Sequence, residues 1–137
     1  MSFRAVPLIV FALFLYNAIV FFGGNAAPAE ILAKPILNIA MLHDTILVFT
    51  LGDLVVLLVL ALLFVELLKS TYTAAVSLVD HGLSMLVFIA CLIEFLLVKQ
   101  AASSVFFFIT VASLIDVIAG YTIGIRTAKR DFQIGSE

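Results

Sequence analysis

The chain has 137 residues, of which 65% are hydrophobic and 12% are charged, and its mean hydropathy is +1.32. Soluble domains are nearer half apolar and a quarter charged, so a water-soluble globule of this composition would expose large apolar patches. The net charge of -2 and the single cysteine exclude a nucleic-acid binder and a disulfide scaffold. The composition therefore indicates an integral membrane protein whose main partner is the lipid bilayer.

Four apolar runs are long enough to predict membrane-spanning helices. They cover residues 5–22, 45–68, 72–98 and 101–125. A bilayer core needs roughly 20 helical residues, and backbone groups in lipid must be satisfied within their own segment, so helices are favoured over strands. Arg4 and the segment Ala27-Pro28-Ala29 give the first run some features of a signal peptide, but the length of the apolar run favours a retained helix.

These runs predict an all-α integral membrane protein with one domain over residues 1–137. Four transmembrane helices would form an antiparallel up-down bundle, and the two short links before the third and fourth helices would make the last three helices neighbours. In the longer first link, residues 30–42 predict a short extracytoplasmic interfacial helix, with an irregular loop as the alternative. His43 and Asp44 would then precede the second helix, with Asp44 as its N-cap.

The distribution of lysine and arginine predicts the orientation. Arg4, Lys69, Arg126, Lys129 and Arg130 would lie on one side of the membrane. Lys34 and Lys99 would lie on the other side. The positive-inside rule then predicts a multi-pass protein of the cell (inner) membrane with both termini in the cytoplasm. Residues 126–137 would form a short, polar cytoplasmic tail that does not fold alone.

Acidic residues inside the predicted helices are the strongest functional signal, because every lysine and arginine lies at or beyond a helix end. The five acids are Asp53, Glu66, Asp80, Glu94 and Asp116. Glu66 is expected to pair with Lys69 at i+3, near a helix end. The other four acids, together with His81, are the candidate proton- or cation-binding residues, since a buried carboxylate must be protonated, paired or hydrated.

Hydroxyl side chains accompany these acids at a regular spacing. Thr50, Ser77 and Ser113 each lie three residues before an aspartate, which places hydroxyl and carboxyl on one helical face. Ser84 extends the polar stripe on the third helix. We therefore predict Thr50, Ser77, Ser84 and Ser113 as supporting hydroxyls, although three such repeats in a leucine-rich chain also arise by coincidence.

The predicted helix depths place Asp80, His81 and Asp116 in one layer on adjacent helices. Two carboxylates in a layer of low dielectric constant are not expected to be ionised together at neutral pH without a bound cation, so they would share a proton or transfer one to His81. A stripe of small residues on the fourth helix predicts close helix packing. That stripe contains Ala112, Gly120 and Gly124, with Asp116 between them.

The leading functional hypothesis is a small, oligomeric channel or proton-coupled carrier, with no cofactor and no metal. The competing hypothesis is a non-catalytic membrane subunit or scaffold of a larger complex. A haem clamped between two copies of His81 and an intramembrane enzyme are weaker alternatives, because one chain has no second histidine at that depth and no visible nucleophile–base pair.

Overall fold

A computed structural model describes residues 6–72 and 78–136 of the chain, which are mostly helical. The elements in chain order are α1 Ile9–Phe22, α2 Pro28–Leu32, β1 Pro35–Ala40, β2 Ile46–Thr50, α3 Leu51–Tyr72, α4 Leu78–Leu97, a 3₁₀ turn Lys99–Ala101 and α5 Ser104–Gly135. Within the described residues, three helices, α3, α4 and α5, are long and apolar enough to cross a membrane. The predicted membrane-helix character is confirmed for these three.

The first helix is shorter than the predicted run of residues 5–22. α1 begins at Ile9, after Pro7, and contains 14 residues. At about 1.5 Å per residue it is about 21 Å long, less than a bilayer core of about 30 Å. Its buried side chains lie on one face and include Ala12 and Tyr16, both of which have no exposed surface. α1 therefore packs on the bundle, but its length alone does not make it a fourth span.

The link after α1 differs most from the prediction. The helix in it, α2, has only five residues, and the predicted helix over residues 30–42 is wrong because Pro35 cannot continue a helix and starts β1 instead. β1 pairs with β2 in an antiparallel hairpin, with Ala40 opposite Ile46. Residues 46–50, near the start of the predicted second helix, are therefore a strand, which suits their β-branched and aromatic side chains.

The structure of the hairpin turn also corrects the predicted role of Asp44. His43 and Asp44 have φ angles of 88° and 56°, in the left-handed region, and the Met41 N–H donates to the Thr45 carbonyl across the turn at 2.8 Å. Asp44 is thus a turn residue and not the N-cap of a helix. Aspartate and histidine are among the residues that tolerate a positive φ best, which suits them to this position.

The packing order of the long helices also differs from the prediction. α5 packs extensively against both α3 and α4, whereas α3 and α4 barely contact each other through their described residues. α1 packs chiefly against α3 and α5. The short links only bring chain ends together, and the buried side chains of α5, such as Phe106 and Ile109, make it the central helix. Asp116 lies on this central helix.

The C-terminal residues are helical. α5 has 32 residues and continues through the predicted tail to Gly135. The segment is helical because it extends a helix already formed, so each added residue needs no new nucleation, and that it does not fold alone stays a prediction. Alanine, lysine, arginine and glutamine in this segment are also good helix formers.

Candidate functional site

Asp53 lies at the first turn of α3 and is exposed, not in the middle of a span. Its carboxylate accepts hydrogen bonds from the backbone N–H and the hydroxyl of Thr50, each at 2.9 Å, and the Thr50 hydroxyl oxygen accepts from the Asp53 N–H at 3.2 Å. This reciprocal arrangement is a capping box, which satisfies N–H groups that the first helical turn leaves without partners. Both residues therefore have a complete structural role.

Asp116 has the opposite environment. It lies in the middle of α5, with 4% of its surface exposed. The Ser84 side chain of α4 interacts with its carboxyl group, and the carboxyl also interacts electrostatically with Glu66 and Lys69 of α3. The acid on the central helix thus interacts with residues of both neighbouring helices.

Glu66 is the second buried acid, with 6% of its surface exposed. One carboxylate oxygen pairs with the Lys69 ammonium at 2.9 Å, which confirms the predicted i+3 pair. The other oxygen accepts the Leu8 backbone N–H at 3.0 Å, just before α1, and the Lys69 ammonium donates to the Val6 carbonyl at 3.3 Å. Glu66 and Lys69 therefore hold the start of α1 against the end of α3.

His81, which was predicted to share a layer with Asp116, packs on α5 about one turn after Asp116. The His81 ring stacks on Tyr121, with ring centroids 4.3 Å apart and planes 8° from parallel. The same ring lies over Gly120, where an added Cβ would be 3.4 Å from its Nδ1. Asp80 precedes His81 at the start of α4 and is half-buried. The absence of a side chain at Gly120 lets the imidazole approach the α5 backbone.

Glu94 belongs to a different polar region, near the other end of the bundle. It is half-buried and interacts electrostatically with Tyr16 and with Cys91. The Tyr16 hydroxyl donates to the Gln100 carbonyl at 3.0 Å and lies 2.6 Å from the Ser103 hydroxyl. Since this ring has no exposed surface, its hydroxyl needs these partners.

The remaining predicted residues have varied positions. Ala112 and Ser113 are buried, and Gly124 is half-buried on α5. The Ser113 hydroxyl donates back to the Thr110 carbonyl at 2.7 Å. Ser77 lies outside the described residues. Among the residues that the structure describes, no group of three histidine, cysteine or acidic side chains could hold a metal ion.

The structure thus brings together a cluster that the sequence pattern did not predict as a unit. It consists of Asp116, Glu66, Lys69 and Ser84, and is called the interior acid cluster below. Glu66 and Lys69 were set aside in the sequence because they satisfy each other along one helix. No local signal in the sequence points to this association, since Glu66 lies near the end of its predicted run and Asp116 lies well inside its own.

The charges of this cluster do not balance when both acids are ionised. Among the residues that the structure describes, two carboxylates would then face one ammonium, and the Ser84 hydroxyl is neutral. Burial makes an uncompensated charge costly, so one further positive charge stabilises the cluster. A proton on Asp116 or a bound monovalent cation would provide it, with the carboxyl and hydroxyl oxygens as ligands.

Comparison with known proteins adds no family to this description. No family model, curated protein or solved structure matches the chain.

Proposed function

We propose that this chain is a small membrane protein that binds and relays a proton or a monovalent cation at Asp116. In this proposal it is a homo-oligomeric channel or proton-coupled carrier in the cell membrane, with four transmembrane helices and both termini in the cytoplasm. One observation carries the proposal, namely a buried carboxyl on the central helix that interacts electrostatically with a second buried carboxylate and with the ammonium paired to it. This arrangement binds positive charge and also releases it when Lys69 compensates Asp116 instead of Glu66.

The contrast with the other acids supports this assignment. Asp53 is exposed and its carboxylate is occupied by the capping box, so it has no role in the proposed pathway. Asp80 and His81 lie toward the cytoplasmic end and Glu94 toward the opposite end in the proposed orientation. They are therefore candidate entry and exit groups on either side of Asp116.

The test is ion flux in proteoliposomes, measured with an enclosed pH-sensitive dye. Asp116→Asn keeps the shape of the side chain and its hydrogen bonding but cannot exchange a proton or carry charge. We expect it to reduce pH-dependent flux to the level of protein-free vesicles. Asp53→Asn is the matched control, since it changes an acid on the helix surface and should leave flux at the wild-type level once equal reconstitution is verified.

Two results would contradict the proposal. One is wild-type flux in Asp116→Asn, and the other is an equal loss in both variants, which would indicate damage to the fold and no specific pathway. Circular dichroism of both reconstituted variants checks that the helices remain.

A second candidate function, a subunit of a larger membrane complex, rests on a separate observation. The hairpin register places Leu37, Ile39, Leu47 and Phe49 on one face of the ribbon. This apolar hairpin face is largely uncovered, with Leu37 53% and Leu47 47% exposed. An open two-stranded ribbon cannot enter lipid hydrocarbon because its outer backbone groups would have no partners, so another membrane protein is the better cover.

Purification in a mild detergent followed by mass spectrometry distinguishes the two candidates. Stoichiometric foreign subunits favour the complex, and a homo-oligomer favours the channel or carrier. If a foreign subunit is found, Leu47→Lys should release it, because the substitution puts a charge in the apolar hairpin face. Val48→Lys is the comparison variant, since Val48 is 48% exposed on the opposite face, and release of the subunit by only one of the two variants identifies the covered face.

A further inference from the structure

We propose that the end of α5 is a binding site for anionic phospholipid headgroups, formed by Arg126, Lys129 and Arg130. The three residues have the spacing i, i+3 and i+4, so they lie on one side of the helix. All three are exposed, and their side chains make no ion pair or hydrogen bond with a described residue. This inference is independent of the proposed ion-binding function.

The length of α5 places these cations at headgroup depth. Residues 104–125 form a helix about 33 Å long, which matches a bilayer core of about 30 Å. Residues 126–130 add about 7 Å beyond that core, which is about the thickness of one headgroup layer. Because the helix continues to Gly135, these cations are held on a rigid segment at this depth and not on a loose tail.

The net positive charge of this segment also favours binding of an anion. Asp131 is the one acidic side chain described in the segment after residue 125, against three basic side chains. Lys69, the described cation near the end of α3, is already paired with Glu66. Phosphate oxygens are good acceptors for arginine and lysine, and the leaflet brings phosphate to these side chains without a separate partner. A lipid phosphate in that leaflet therefore fits better than a soluble anion.

The experiment measures lipid binding to the full chain in detergent micelles by native mass spectrometry. Short-chain phosphatidylglycerol and phosphatidylcholine are titrated in parallel. We expect the wild type to prefer phosphatidylglycerol, each single glutamine substitution to weaken that binding about five-fold, and the triple substitution Arg126→Gln, Lys129→Gln, Arg130→Gln to weaken it on the order of a hundred-fold. Higher salt should reduce the preference.

The matched control is Lys34→Gln with Lys99→Gln, which removes exposed cations before β1 and in the turn before α5, at the other end of that helix. It should leave phosphatidylglycerol binding unchanged. Retention of the preference by the triple variant, or an equal loss in the control, would overturn the proposal. Competition by millimolar inorganic phosphate as effective as that by the lipid would also overturn it, since it would indicate a soluble-anion site.

A membrane-based measurement removes dependence on detergent. The chain, labelled at Ile134→Cys in a Cys91→Ser background, is reconstituted in phosphatidylcholine vesicles with or without about one-third phosphatidylglycerol. An environment-sensitive dye at this position should become less mobile when the anionic lipid is present, and the triple substitution should abolish that change. An unchanged signal in the wild type would contradict headgroup binding.

Discussion

Two segments of this chain have the same local sequence pattern and opposite environments. Thr50 and Asp53 are three residues apart at the start of α3, and Ser113 and Asp116 have the same separation inside α5. At the helix start, hydroxyl and carboxylate bind each other and the backbone, and Asp53 is exposed. Inside α5, the serine binds the preceding turn, and Asp116 is buried with Ser84 of another helix as its partner.

The difference shows that a hydroxyl–acid pair acquires its role from its place in the helix. At a helix start, backbone N–H groups need acceptors, and the side chains supply them. Within a helix those N–H groups are already bonded, so the acid is left to interact with neighbouring helices. Three copies of the pattern therefore do not imply three copies of a site.

The largest loss of stability should come from substitution of Glu66. Asp116 has this acidic neighbour inside the bundle, whereas Asp53 at the start of α3 has none like it among the described residues. Glu66→Ala removes the partner of Lys69 and the acceptor for the Leu8 N–H. Because Glu66 is buried and Lys69 is 28% exposed at its side chain, we expect a loss of about 2–3 kcal/mol in the free energy of unfolding. Unfolding in detergent titrated with dodecyl sulfate measures it, and a loss below that of Thr50→Ala would contradict the role of this pair in holding α1.

Thr50→Ala tests the hydroxyl–acid pair at the start of α3. It should lower the free energy of unfolding by about 1 kcal/mol, as loss of an N-cap usually does. The same unfolding titration applies. Thr50→Ser keeps the hydroxyl and should restore most of the stability. A variant as stable as the wild type would show that the capping box does not stabilise α3.

Ser84→Ala tests the interaction between helices that Asp116 makes and Asp53 does not make. Hydrogen bonds between membrane helices average about 0.6 kcal/mol, so we expect a loss of about that size. In the double variant with Asp116→Ala the two losses should not add, because Asp116→Ala by itself already removes the partner of the Ser84 hydroxyl. Full additivity in the double-mutant cycle would contradict the contact.

Ser113→Ala should have the smallest effect, below about 0.3 kcal/mol, because its hydroxyl bonds to a carbonyl already satisfied within the helix. Comparison with Thr50→Ala makes this a sharp test, since both substitutions remove the hydroxyl of the same pattern. Equal losses in the two variants would mean that position within the helix does not decide the role.

The predicted membrane helices were correct where an apolar run was long and uninterrupted. The runs behind α3, α4 and α5 contain no proline, and a helix satisfies all of their backbone groups. The prediction failed around Pro35 and the hairpin because the apolar strand Ile46–Thr50 joins α3 without a break in hydrophobicity. Hydrophobicity reports burial in lipid or protein and does not distinguish strand from helix over a few residues.

The candidate site was likewise predictable only in part. The pair of Glu66 and Lys69 was predictable because both residues lie on one helix at a fixed spacing. The electrostatic interaction of that pair with Asp116 was not predictable, because it joins α3 and α5, and the loop lengths favoured adjacent packing of α3 with α4. Tyr16 likewise gave no local signal of its hydrogen bonds to the turn before α5, more than 80 residues further along the chain.

The sequence by itself determined that the chain has helices long and apolar enough to cross a membrane, and which acids the apolar runs contain, since each of these depends on the composition of a short window. Only the tertiary structure decided that α5 is central, that Asp53 caps a helix and that Asp116 meets Glu66, Lys69 and Ser84. The physical reason is that helix formation depends on neighbours along the chain. The environment of a carboxyl group depends on which helices pack around it, and many packings are compatible with the same apolar runs.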